Sequence, residues 1–434
     1  MRFAKQLICI LILASMLGCS APPLRNGENA SIKEFASTDE LTVYGRNDLW
    51  TDSVLTHALR LFRQQHPGVQ VYYQQYSAEE LTTILTTELL AGKGPDVVLF
   101  MDELGDPYKA ADAKVFCDLN PFLEADAEYD RNRYSDLFDV GCYQGGRFFI
   151  PICGKTYYLL TSQEALTDQG FVWTREMTLE QFTKQISLYL ASHSVADIQG
   201  LFQLFVADSR ELLPATGLQF LSYDRQEVVM DMEQVRNVTE FWKVLYPYIS
   251  AAGPWVNPLH TNGDYGKALQ AGTLLFAVDP SMGSILLEFD AAPHLSKDLS
   301  LLLGALPNVT GERPVGMRDL SAAIRNSSDN KQNAYEFLKV LLSNSIQNEI
   351  MDDIPVLNSV IMDRLEARRL QGVITQEERD ALFAFFTDMQ PYDNDSSNLW
   401  EMYVQYFTPY WKDDATFDDC YDKLYSALEL YLYE

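Results

Sequence analysis

Acidic side chains follow two apolar segments of the sequence, and their type suits the binding of a polar ligand. Asp102 and Glu103 come directly after "DVVLFM", and Asp279 comes directly after "TLLFAV". Carboxylates accept strong hydrogen bonds from hydroxyl groups, and ligands of open α/β sheets bind beyond the carboxyl ends of the strands. We therefore expect one ligand-binding edge in each half of the chain. The residues at these two edges are Met101, Asp102, Glu103, Asp279, Ser281 and Met282.

The elements that position the first edge alternate between strands and helices. "LTVYGR" and "VQVYYQQY" have the composition of strands, with a helical pattern between them. A second helix is predicted to begin after Ser77, which forms a capping box with Glu80, and to end at Gly92. This series predicts an α/β fold whose sheet is mostly parallel and has helices on both faces. Further along, Gly145 and Gly146 are predicted to form the turn of a hairpin.

The sequence lacks the motifs of common catalytic and metal sites. "GKG" (92–94) lies between a helix and a strand, which reverses the order found in a phosphate-binding loop. No GxSxG, HExxH or Walker A pattern occurs, and the cysteines and five histidines lack zinc-ligand spacing. "DNDSSNLWEMYV" (393–404) begins like a calcium loop but has Asn398 and Val404 where a glycine and a glutamate belong. We therefore expect neither a metal nor a cofactor.

The first residues of the sequence indicate export. Arg2 and Lys5 precede a short apolar run that ends in "MLGC", as in a signal peptide, and the run is too short for a comfortable membrane span. "MLGC" resembles a bacterial lipobox, which implies a signal peptide of residues 1–18 and a lipid on Cys19. Residues 19–37 are polar and predict a flexible tether to the cell membrane. The formal net charge of −28 disfavours a nucleic-acid partner.

Several segments, in this order, carry a family resemblance: "FRQQHPGVQVYY", "LTTELLAGKGPDVVLFM", "GGRFFIPI", "YYLLTS", "YGKALQAGTLLFAV", "GALPNVTGERPVGM" and "NKQNAYEFLKVLLS". The chain resembles the extracellular solute-binding proteins of ABC importers, in the family that includes maltose-binding protein. The resemblance implies a two-lobe, periplasmic-binding-protein-like fold (type II), with a mixed, mostly parallel sheet in each lobe. Lobe 1 would hold residues 38–152 and 312–350, and lobe 2 residues 153–307 and 351–434. We expect a monomer that closes over its solute, does no chemistry on it, and passes it to a membrane permease.

Further residues are expected in the cleft between the lobes. Polar side chains there would bind hydroxyl groups, and the tryptophans would stack on a sugar ring, although each could instead pack within the protein. Asp48 has a structural alternative as the cap of the following helix. The full set is Asn47, Asp48, Trp50, Lys155, Tyr157, Trp255, Tyr265, Met317, Arg318 and Trp400.

Two of these assignments depend on local geometry that the sequence leaves open. Tyr157 faces the cleft only if Tyr158 faces the core, because neighbouring residues of a strand alternate. Arg318 either lines the cleft or forms a structural ion pair with Asp319 or another acid.

The nature of the ligand is inferred from residue types. Aromatic rings and carboxylates favour an oligosaccharide or sugar, while a peptide, a polyamine or another polar solute stays open. An exported carbohydrate-active enzyme is one alternative function, since its two carboxylates could be any pair among the many acids. A ligand sensor for a membrane kinase, with the same fold, is another. Four cysteines are expected to be free, although one disulfide is possible: Cys117, Cys142, Cys153 and Cys420.

Overall fold

The computed structural model describes residues 39–47, 49–192, 212–252, 274–279, 282, 301–311 and 313–433. Its strands, numbered in chain order, are β1 (Glu40–Arg46), β2 (Gln70–Tyr76), β3 (Val97–Phe100), β4 (Cys142–Tyr143), β5 (Gly146–Arg147), β6 (Ile150–Pro151), β7 (Cys153–Lys155), β8 (Tyr158–Ser162), β9 (Leu221–Ser222), β10 (Glu227–Val228), β11 (Ala277–Asp279), β12 (Leu301–Ala305), β13 (Val315–Arg318), β14 (Ser321–Ile324), β15 (Ile354–Pro355) and β16 (Gln390–Pro391). The α-helices of these residues span Leu49–Gln65, Ala78–Leu90, Pro107–Asp112, Asn120–Ala125, Gln163–Asp168, Leu179–Ser192, Met232–Ala252, Lys331–Leu341, Asn344–Gln347, Asn358–Leu370, Gln376–Thr387, Ser397–Trp411 and Phe417–Tyr433. Several predictions fall outside the described residues: Cys19 with the signal peptide and tether, Asp48, Trp255, Tyr265 and Ser281.

A five-stranded sheet has the order β2-β1-β3-β14-β6. β1 runs parallel to β2 and β3, while β14 runs antiparallel to β3 and β6. The alternation of strands and helices predicted for the first hundred residues is therefore confirmed. Ser77 and Glu80 form the predicted capping box, and Gly92 has a φ of 68°, as the left-handed end of a helix requires.

Helices pack against this sheet and bury its central strand. All four residues of β3 are buried. A strand that is covered on both faces has apolar residues at every position, as the sequence of β3 does. Helix Leu49–Gln65 packs through Phe62, whose ring lies 5.5 Å from that of Phe337 in an edge-on contact. The resulting core fixes the carboxyl ends of β1 and β3 next to each other.

A second sheet, β11-β8-β12, is antiparallel in every described pair. The α/β class is confirmed, but the described strands of this sheet pair antiparallel and not in the mostly parallel way predicted for both sheets. β8 is buried along its whole length, and burial on both faces does not define the direction of a neighbouring strand. An aromatic cluster packs against the sheet, with Phe171 and Phe182 at 5.3 and 5.9 Å from the ring of Phe276.

A third sheet, β15-β7-β13-β16, joins segments that are far apart in the sequence. β7 pairs antiparallel with β13 and β15, and β13 pairs parallel with β16. Gly154 in β7 is required for this approach, because a Cβ there would lie 2.3 Å from the carbonyl oxygen of Met317 and 2.4 Å from a methyl of Leu137. The close approach places Lys155 directly opposite Met317.

The hairpin near residue 145 has its turn one residue earlier than predicted. Tyr143 pairs with Gly146, so the central residues are Gln144 and Gly145, with φ of 47° and 78°. A type I′ turn needs positive φ at both central positions, and glutamine accepts this conformation at a modest cost. The cysteines at 117, 142, 153 and 420 are free, as expected.

The C-terminal helices pack through aromatic rings, as their sequence indicates. Trp400 lies 4.8 Å from Phe220 and 5.6 Å from Tyr403 between ring centroids. The described residues belong to one compact unit, and the predicted boundaries of the two lobes stay a prediction. Within the described residues, no helix combines the length and the apolar character that a membrane span would need.

Candidate ligand-binding site

A cavity of about 470 Å³ lies beyond the ends of β1 and β3, where they approach β7, β13 and the helix Ser397–Trp411. Charged side chains of both signs dominate its wall. The lining residues are Arg46, Met101, Asp102, Lys155, Pro214, Met317, Arg318, Asp319, Asp395, Ser397, Trp400 and Glu401.

Half of the lining residues that the structure describes are expected from the sequence to bind a ligand. They come from four segments that are far apart in the chain and meet only in the folded protein. These six residues are Met101, Asp102, Lys155, Met317, Arg318 and Trp400.

The segment after β3 is held by its own side chains. The backbone N–H of Met101 donates to Glu103 Oε2 at 2.7 Å. Gly105 has a φ of 67° and turns the chain, and Asp106 then caps the next helix by accepting from the N–H of Tyr108 at 3.0 Å. This local network leaves the carboxylate of Asp102 exposed at the cavity.

Arg46 connects the end of β1 to the same segment. Its Nε lies 3.4 Å from Glu103 Oε1, and its Nη1 donates to Met101 Sδ at 3.1 Å. Glu103 is only 3 % exposed. Burial raises the pKa of Glu103, and the N–H groups and the Arg46 charge oppose that rise by stabilising the carboxylate. Glu103 therefore supports the wall and does not line the cavity.

Arg318 forms a buried ion pair behind the cavity. Its Nε lies 3.1 Å from Asp395 Oδ2, and both side chains are less than one tenth exposed. Its Nη1 donates to the carbonyl oxygen of Met101, and the guanidinium lies 5.6 Å from the ring centroid of Phe100. Burial raises the pKa of Asp395, and the Arg318 charge opposes that rise. Both sequence interpretations of Arg318 therefore apply. Arg318 lines the cavity, and it also forms a structural ion pair, with Asp395 and not with Asp319.

Lys155 and Asp319 form a second pair in the wall, with Nζ and Oδ1 3.6 Å apart. Behind them, Cys153 Sγ lies 3.5 Å from Asp353 Oδ2. Cys153, Asp319 and Asp353 bring their possible ligand atoms within 4.8 Å of one another, close enough to hold a metal ion. Burial raises the pKa of the Cys153 thiol well above its usual value, so a cation bound to this sulfur would have to displace the thiol proton.

Asp353 makes the stability of the protein depend on pH. Burial, followed by the nearby charge of Asp319, raises the pKa of Asp353 to about 8. Between pH 4 and 8 the folded protein then binds a proton that the unfolded chain releases, so the Asp353 contribution to the free energy of unfolding falls as pH rises. We expect Asp353→Asn to gain stability relative to the wild type from pH 5 to pH 8, as measured by urea denaturation at each pH. Asp363→Asn, at an exposed position, is the control, and parallel pH profiles of wild type and Asp353→Asn would refute the expectation.

Three further predicted residues, Asn47, Tyr157 and Met282, are described by the structure and are not among the lining residues. Tyr157 and Met282 are buried, at 5 % and 0 % exposure. Asn47 is exposed, and its backbone N–H donates to the carbonyl oxygen of Tyr76 at 2.9 Å. Asp279 ends β11 opposite Tyr158, but its side chain and that of Trp50 are outside the described part of the structure.

Trp400 lines the cavity but is packed as a core residue. It is 2 % exposed, its indole N–H donates to the carbonyl oxygen of Asn394 at 2.9 Å, and Phe220 contacts its ring. Of the two roles considered for Trp400, stacking on a sugar ring or packing within the protein, the structure shows the packing.

Sequence reasoning missed the other half of the wall. Arg46 directly precedes Asn47, which the strand-end rule predicted, and Asp319 directly follows Arg318, which the family resemblance predicted. Asp395 and Glu401 belong to the segment 393–404, which departs from a calcium loop at two positions, and its density of acids is the signal that could have indicated them. The other two missed residues are Pro214 and Ser397.

The charges of the wall leave hydrogen-bond acceptors open to a ligand. Arg46, Lys155 and Arg318 are all within ion-pair distance of an acid. Among the described residues, Asp102 and Glu401 have no ion-pair partner, and both are exposed. Each carboxylate can accept several hydrogen bonds, so the cavity suits a ligand rich in hydroxyl or amino donors.

Comparison with known proteins defines the family. The chain matches the family of bacterial extracellular solute-binding proteins over residues 58–362, more than half of its length. The protein therefore belongs to this bacterial extracellular solute-binding family, as the resemblance implied. No curated protein matches the sequence.

Solved structures share the fold at low sequence identity. An ABC substrate-binding protein from Listeria monocytogenes, in complex with cycloalternan, has a TM-score of 0.61 and 15 % identity, covering 91 % of this chain and 99 % of its own. The sugar-binding protein MalE from Xanthomonas citri has a TM-score of 0.64 and 14 % identity, with 91 % and 97 % covered. The cyclic alpha-maltosyl-1,6-maltose binding protein from Arthrobacter globiformis has a TM-score of 0.61 and 16 % identity, with 91 % and 98 % covered. The fold is thus the two-lobe fold of periplasmic binding proteins.

Proposed function

We propose that this protein captures an oligosaccharide in the 470 Å³ cavity and delivers it to an ABC permease. The observation that carries the proposal is the meeting of six residues, expected from the sequence to bind a ligand, in one cavity. Its volume is within the range of about 300–1,000 Å³ that small-molecule sites occupy. In the proposal the protein is exported and anchored to the cell membrane through a lipid on Cys19.

The preference for a carbohydrate has two supports. Asp102 and Glu401 offer carboxylate oxygens to a polyhydroxylated ligand, and hydrogen bonds to charged acceptors are the stronger kind. Proteins of the same fold are described as binding cycloalternan and cyclic alpha-maltosyl-1,6-maltose. A solute with a strong negative charge is disfavoured because acids outnumber bases in the cavity wall.

The proposed role is binding without turnover. The family consists of binding proteins, and ligand capture by two hinged lobes works through a shift of population. A solute that contacts both lobes only when they are closed favours the closed form by its difference in affinity.

A thermal-shift panel tests the proposed ligand class. The panel contains maltotetraose, mannotriose and cycloalternan, with a peptide and a polyamine as solutes of other classes. A sugar at 100-fold over its dissociation constant is expected to add about 2.7 kcal/mol to the free energy of unfolding and to raise the melting temperature accordingly. A shift with the peptide or polyamine and with none of the sugars would contradict the carbohydrate proposal. Loss of the intact sugar on long incubation would contradict binding without turnover.

A further inference from the structure

Asp106 is a buried carboxylate with both oxygens occupied. Its Oδ1 accepts from the backbone N–H groups of Tyr108 and Lys109 at 3.0 and 3.3 Å. Its Oδ2 accepts from the hydroxyls of Tyr223 and Tyr431, each at 2.7 Å. The side chain is 4 % exposed. The first pair of bonds caps a helix, but the cap does not need the two hydroxyls, which come from remote parts of the chain.

The hydroxyl groups of Tyr223 and Tyr431 are in environments that keep them protonated, so both remain hydrogen-bond donors. Burial and the charge of Asp106 raise the pKa values of Tyr223 and Tyr431 well above the usual range, so both stay protonated. The ring of Tyr223 stacks on Tyr108 with centroids 4.7 Å apart. Lys109 donates to the carbonyl oxygen of Tyr431 and lies 3.6 Å from the centroid of its ring. Packing therefore fixes each hydroxyl at the carboxylate.

These hydrogen bonds connect the segment 101–106, which begins in the cavity wall, to the last turn of the helix Phe417–Tyr433. Asp106 ends the segment that begins with Met101 and Asp102 in the cavity wall. Tyr223 follows β9, and Tyr431 lies in the last turn of the helix Phe417–Tyr433. Asp106 belongs to predicted lobe 1, and both tyrosines belong to predicted lobe 2.

We propose that Tyr223 and Tyr431 are positioning residues, which fix the segment 101–106 through Asp106 and tie the two predicted lobes together. Two neighbouring hydrogen bonds join the same regions: the N–H of Gln144 donates to Asp224 Oδ1 at 2.6 Å, and Gln226 Nε2 donates to the hydroxyl of Tyr143 at 3.0 Å. The consequence for ligand affinity rests on the proposed function of the cavity. The positioning itself is independent of any ligand.

Hydrogen–deuterium exchange of the ligand-free full chain tests the positioning. In Tyr431→Phe, which keeps the ring and removes only the hydroxyl, amides of residues 103–109 are expected to exchange about tenfold faster, since a hydrogen bond to a charged group is lost. Amides of β8 are expected to keep their wild-type rates. Tyr433→Phe, at a side chain that is 85 % exposed, is the matched control and is expected to change neither region.

A double-mutant cycle separates positioning from loose packing. If the hydroxyl acts through Asp106, Asp106→Asn and Tyr431→Phe have effects on exchange at 103–109 that are not additive. Additive effects, or wild-type exchange in Tyr431→Phe, would overturn the proposal even in a protein that binds sugars. Faster exchange together with no sugar binding by the wild type would contradict the proposed function and leave the positioning in place.

Discussion

Replacing Arg318 with leucine is expected to lower the free energy of unfolding by about 3–5 kcal/mol at pH 7. The change leaves the carboxylate of Asp395 in a site where it is less than one tenth exposed and has lost its counter-charge. It also removes the donor to the carbonyl oxygen of Met101. Urea denaturation followed by circular dichroism measures the loss, provided that the slope of the transition stays that of the wild type.

Two variants test whether burial is the cause of this loss. Arg225→Leu removes an arginine of similar geometry, 2.9 Å from Glu227, but both side chains are about half exposed or more. An exposed pair of this kind contributes at most about 1 kcal/mol. The double variant Arg318→Leu, Asp395→Leu removes both buried charges and is expected to recover most of the lost stability. If Arg318→Leu costs no more than Arg225→Leu, the ion pair is not buried as described.

Asp102→Ala is expected to raise the dissociation constant of the bound sugar about tenfold or more, with an unchanged melting temperature of the ligand-free protein. A hydrogen bond to a charged group contributes about 1.5–3 kcal/mol, and each 1.4 kcal/mol is a factor of ten in affinity. The fold is spared because Asp102 is exposed and has no ion-pair partner among the described residues. Isothermal titration calorimetry, with the sugar found by thermal shift, gives the dissociation constants of the wild type and of Asp102→Ala.

The control for this variant is Asp363→Ala, which also removes an exposed carboxylate, here from the helix Asn358–Leu370 outside the cavity wall. It is expected to bind the sugar as the wild type does. Equal affinity in Asp102→Ala and the wild type would show that this cavity edge does not contact the ligand.

The first sheet and one edge of the cavity were accessible from the sequence. The capping box at Ser77, the left-handed glycine at 92 and the apolar strand that follows are local signals, and each has one physical reading. Because parallel strands end at the same edge of a sheet, these signals also placed Asp102 near the end of β1. The family resemblance added Lys155 and Arg318, which the strand rule could not locate.

The rest of the site depends on contacts between distant segments. Arg318 could have paired with several acids, and only the fold brings Asp395 to it. Nothing in the local sequence of the helix Ser397–Trp411 shows that Glu401 faces β3 and β7 across a cavity. Local patterns define strands and caps, whereas the partner of a buried charge is set by the packing of elements far apart in the chain.

The most direct test of the central claim is a crystal structure of the protein with the sugar that raises its melting temperature. We expect the sugar in the 470 Å³ cavity, with hydroxyl groups within hydrogen-bond distance of the carboxylates of Asp102 and Glu401. A sugar bound elsewhere, with this cavity filled only by solvent, would contradict the account.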